Sequence, residues 1–97
     1  MCVTIQDLRN SMRKITNNPQ RCNLLENLSD DELINIDVRD LHMISGQVES
    51  IIRQLGIDKN LNIPCELHKV LPDTNVKSII NIVNLNIKEE EKMGINV

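Results

Sequence analysis

Ser45-Gly46-Gln47-Val48-Glu49-Ser50-Ile51-Ile52-Arg53-Gln54-Leu55-Gly56 is the stretch on which the fold class turns. Its apolar residues Val48, Ile51, Ile52 and Leu55 recur at spacings of three and four, which places them on one stripe of a helix. Ser45 suits the N-cap of that helix and Gly56 its terminator. Upstream, Thr4 and Asp7 resemble a helix start, after which Ile5, Leu8, Met12 and Ile15 keep the same spacing up to Asn17-Asn18-Pro19. Residues 17–44 read as a long irregular connection, broken by a helical turn near residues 30–35 where Ser29-Asp30-Asp31-Glu32 has the capping-box pattern.

Downstream, Pro64 suits a first helical position, and Leu67, Val70 and Leu71 share a face before Pro72-Asp73 stops a short third helix. Asp73 or Thr74 can cap the last helix, whose stripe is Val76, Ile79, Ile80, Val83 and Ile87. Val83, Leu85 and Ile87 also alternate as a strand would, but no partner strand is visible, so helix is expected. The expectation is therefore an all-α, small antiparallel four-helix bundle with a long loop between helices one and two. It forms a single domain over residues 1–97, with its core in 4–87 and an 88–97 tail holding the solvated acidic run Glu89-Glu90-Glu91. Ile5, Leu8, Val48, Ile51, Ile52, Leu55, Leu67, Val76, Ile80 and Val83 are the expected interior.

Ninety-seven residues, 40% of them hydrophobic, allow one core, and the absence of Phe, Tyr and Trp makes that core purely aliphatic. The net charge of −3 is spread along the chain without a basic stripe, which argues against nucleic acid. No apolar run approaches the roughly 20 residues of a bilayer span, and no leader pattern opens the chain. A soluble, cytoplasmic, monomeric protein that does not engage membranes is expected. Cys2, Cys22 and Cys65 are odd in number and widely spaced, as free thiols in a reducing compartment would be. Cys65 and His68 could share a helix face, but two ligands do not make a zinc site, and no metal is expected.

Val38-Arg39-Asp40-Leu41-His42-Met43-Ile44-Ser45 resembles the segment that precedes the attachment serine of acyl and peptidyl carrier proteins. Asp40, Leu41 and Ser45 fall in register with it. Ile63-Pro64 stands where those proteins commonly have Ile-Pro or Leu-Pro, and the Val76–Val83 stripe resembles their final helix. The likeness spans residues 4–87. Ile44, His42 and Gly46 depart from it, standing where the family usually has aspartate, glycine and an apolar residue.

The resemblance implies that Ser45 carries 4′-phosphopantetheine, on whose thiol acyl, aminoacyl or aryl groups ride as thioesters, in polyketide, nonribosomal peptide or specialised lipid biosynthesis. A serine at a helix N-terminus also suits a phosphodiester physically, because free amides and the positive helix end face it. The reactive sulfur would belong to the cofactor, so the chain is not expected to be an enzyme. The partners implied are a phosphopantetheinyl transferase and acyl-loading or acyl-processing synthase enzymes. They would dock on Met43, Ile44, Gly46, Gln47, Glu49, Ser50 and Arg53, a nearly neutral face that favours shape over electrostatic steering. Other readings remain beside this one, among them an unrelated helical adaptor, for which the sequence supplies no specific motif. Ser45 can be an ordinary N-cap, and the chain can be a degenerate carrier-like interaction module without a prosthetic group.

Overall fold

The computed structural model describes residues 1–64 and 74–95, and within them every regular element is helical. The helices are α1 (Ile5–Ile15), α2 (Pro19–Asn27), α3 (Asp30–Ile34), α4 (Val38–Ser45), α5 (Val48–Lys59) and α6 (Val76–Ile95). The four-helix expectation is thus too sparse. The expected third helix, with Leu67, Val70 and Leu71, lies outside the described residues, as do Cys65 and His68.

Local chemistry accounts for most helix ends. Thr4 and Asp7 form a reciprocal capping box at α1, with Asp7 N–H donating to Thr4 Oγ1 at 3.2 Å and Thr4 N–H to Asp7 Oδ2 at 2.9 Å. Asn18 caps α2, with Pro19 at the first helical position where a missing N–H costs nothing. Ser29 and Glu32 make the second capping box at α3, where the sequence placed it. Asp37 caps α4 through the Arg39 amide at 2.8 Å. Asn60, in the left-handed conformation at φ 53°, ends α5, so Gly56 is not its terminator. Gly56 instead permits close approach, because a Cβ there would stand 3.4 Å from the Leu61 carbonyl and the Ile63 side chain.

The stretch expected as a long loop, residues 17–44, folds into α2, α3 and most of α4. Leu25, Leu33, Val38, Leu41 and Ile44 from this stretch are buried in the same cluster as Leu8, Met12, Ile51, Ile52, Leu55, Val76, Ile79, Ile80, Val83 and Ile87. Aliphatic burial is the force that holds these short helices, since helices of this length are marginal in water by themselves. Ile5 and Val48, expected inside, are half-buried against the cluster.

α1 makes its most extensive contact with α5, and α2 lies mainly on α4. An isolated antiparallel bridge between Asp37 and Asn75 joins the start of α4 to the start of α6, through Val38 N–H to Thr74 O at 2.6 Å and Val76 N–H to Ile36 O at 2.9 Å. Asn84 on α6 pairs with both backbone groups of Val3, holding the N-terminal segment. α6 continues to Ile95, into the expected tail, and buries Ile87. Val83 and Ile87 are buried while Leu85 is exposed, and all three lie in α6, which resolves the helix-or-strand ambiguity in favour of helix.

Candidate functional site

Ser45 is the last residue of α4, three residues before α5 begins at Val48, and it is fully buried. The expected N-cap geometry is therefore corrected: Gln47 is the N-cap of α5, and its side chain makes no capping bond. The reason is local. Val38, Leu41, Ile44 and Ser45 lie on one face of α4, and packing that face inward carries the serine with it. Gly46 then breaks the helix at φ 78° and ψ −156°, a region open essentially only to glycine.

The Ser45 hydroxyl donates to the carbonyl of Met12 at 2.6 Å, and the Thr16 hydroxyl donates to the same carbonyl at 2.6 Å. The two hydroxyl oxygens are themselves in contact. Met12 O belongs to the last turn of α1, and two side-chain hydroxyls converge on it from the ends of α1 and α4. Ser45 thus pins the end of α4 to the end of α1. The C-terminal, negative ends of α1 and α4 meet at this hydroxyl. His42 is exposed one turn earlier on α4, while the Ser45 proton is directed to Met12 O, so the pair does not form a base and nucleophile.

The other candidate residues separate. Met43, Gln47, Glu49 and Arg53 are exposed, Gly46 and Ser50 are half-buried, and Ile44 is 4% exposed and belongs to the core. Met43, 60% exposed, joins His42, Arg21 and Leu24 around a shallow depression of about 530 Å³ between α2 and α4, with Asn18 and Gln20 at its edge. A smaller depression of about 220 Å³ involves Arg53, Ile57 and Ile63 at the far end of α5.

α2 was not foreseen as part of any site. The Asn18-Pro19 pair, a cap followed by a proline suited to the first turn, was its visible signal. Leu24-Leu25 leaves the first leucine at the surface, 46% exposed, and puts the second in the core.

Among the described residues no cluster of three or more histidine, cysteine, aspartate or glutamate side chains is arranged to hold a metal, and no helix is long and apolar enough to cross a membrane. No protein family, curated protein or solved structure matches this chain.

Proposed function

We propose that this chain is a small helical docking module that acts on partner proteins through its surface and works without a prosthetic group. The observation that carries the reading is the seat of Ser45: a hydroxyl with no solvent exposure, donating to Met12 O, at the negative end of a helix. Attachment of 4′-phosphopantetheine would require the serine to leave that seat. It would also take one of two hydroxyl donors from Met12 O and place a phosphodiester among α1, α4 and the aliphatic core. The docking face runs over the α4–α5 corner, where Met43, Gln47, Glu49 and Arg53 are solvent-facing, and extends to Arg21 and Leu24 on α2. Among the described residues, the depression on this face is an open one.

The test is co-expression with a broad-specificity phosphopantetheinyl transferase, followed by intact mass measurement. The expected product is unmodified. A single phosphopantetheine adduct on wild type that disappears in Ser45→Ala would overturn the reading and restore the carrier assignment, with its thioester cargo and synthase partners.

A further inference from the structure

The depression between α2 and α4 is lined by a guanidinium and an imidazole without a carboxylate. The protein is net negative, and Arg9, Arg13, Lys14, Arg39 and Lys59 are each matched with one of its own carboxylates. Arg21 has no such partner among the described residues, and neither have Arg53, Lys77, Lys88 and Lys92, but of these only Arg21 lines the α2–α4 depression. It stands at the depression with His42 and the exposed Leu24 and Met43, and no carboxylate lines the surface there. Asp40, one turn before Met43 on α4, stands outside the lining.

We infer that this depression docks an acidic amphipathic segment of a partner protein, one that places a carboxylate against Arg21 and an aliphatic side chain between Leu24 and Met43. The inference rests on the docking-module reading and names the class of partner for that same surface. Three features of the site point to this occupant. The uncompensated guanidinium selects negative charge, and its planar fork can hold a carboxylate in a bidentate pair. The apolar floor needs cover, because Leu24 and Met43 together expose apolar surface beside one another, and methionine adapts to differently shaped side chains. The depression is open along the α2–α4 seam and too shallow to enclose a small molecule, which suits a helix laid on a groove.

The probe is a pair of synthetic amphipathic helical peptides of about 15 residues with one leucine stripe, flanked by glutamates in one and by lysines in the other. Amide and methyl NMR spectra of the full chain would be followed during titration with each. The glutamate peptide should shift the signals of residues 18–24 and 39–46, with binding of the lysine peptide weaker by at least about tenfold. Arg21→Glu should reverse that preference, and because Arg21 is exposed and unpaired the variant should keep the wild-type helical spectrum. Leu24→Ser together with Met43→Ser should abolish both responses. Equal shifts with both peptides, shifts elsewhere on the surface, no shifts with either, or a response only to phosphatidylserine-containing vesicles would each overturn the inference. Failure here with an unmodified Ser45 removes only this partner assignment. A transferase adduct at Ser45 removes the module reading whatever the peptides do.

Discussion

Ser45 shows how one side chain's surroundings reverse a reading made from its neighbours in sequence. Removing its hydroxyl leaves Met12 O with the Thr16 donor, so Ser45→Ala should cost only about 1 kcal/mol, the net worth of one hydrogen bond. Ser45→Asp puts an unpaired carboxylate at a fully buried position beside two helix C-termini and should cost several kcal/mol. Urea unfolding of both variants checks the contrast, and a tolerated aspartate would mean that the serine is accessible after all. Gly46 separates strain from packing in the same way. A Cβ there meets nothing within 4 Å, so Gly46→Ala should be destabilising by about 1–3 kcal/mol through backbone conformation alone. An alanine variant as stable as wild type would show that the junction relaxes. The motif-bearing residues were visible in the sequence, yet their placement was not. Asp40, Leu41 and Ser45 fall in register with the carrier-protein segment that leads into a helix start. Val38, Leu41, Ile44 and Ser45 equally fit one face of a helix of their own, and burial of the aliphatic members selects the second arrangement.

At the scale of elements, Arg9 has the largest unannounced role. Its side chain is buried on α1, donates to Leu25 O at 2.6 Å in the last turn of α2, and donates to Asp30 at 2.9 Å in the first turn of α3. One guanidinium therefore serves the negative end of one helix and an acidic residue at the start of the next. Arg9→Ala should cost about 2–3 kcal/mol by stranding the Leu25 carbonyl and opening space in the core, while Asp30 returns to solvent at little cost. Arg9→Lys should fall between alanine and wild type, since an ammonium lacks the fork needed to serve both partners in place. Equal midpoints for all three in chemical denaturation would remove this role. Sequence periodicity announced α1, α5 and α6 because each carries an aliphatic stripe long enough to be counted, and the Ser29 capping box announced α3. α2 escaped because it buries one leucine and owes its place to Arg9 and α4, which are tertiary facts. The α2–α4 depression escaped with it, since a surface shared by two helices has no signature when one of them has not been recognised.

For the whole molecule, α1 is the element that charge ties most widely. Lys14, Ser11 and Gln54 all donate to Asp58 on α5, and the Lys14 ammonium foremost holds that carboxyl below its ordinary range, against the opposing effect of partial burial. Partial burial pulls Asp7 upward, but the Thr4 amide and hydroxyl together with Lys59 outweigh it and leave the group low. Glu26 is lowered by its hydrogen bonds from Arg13, and Asp37 by those from Arg39. All four carboxyls are depressed, so the unfolded chain binds protons at higher pH than the folded one. Their contribution is present above the unfolded values of about 4 and is lost as pH falls through the lower folded values. Stability should therefore be flat near neutrality, begin to fall below about pH 5 and continue falling under pH 4. The pairs differ in how they should respond to salt. Glu26 and Arg13 are solvent-exposed and screened, whereas Asp58 is 15% exposed and packed between α1 and α5. Asp58→Asn should accordingly flatten the acid limb of a thermal-midpoint profile at both low and high ionic strength, while Glu26→Gln should do so only at low ionic strength. A profile that Asp58→Asn leaves unchanged would mean that the α1–α5 seam is held by Leu8, Met12, Ile51 and Leu55 alone, with its charges ornamental to stability.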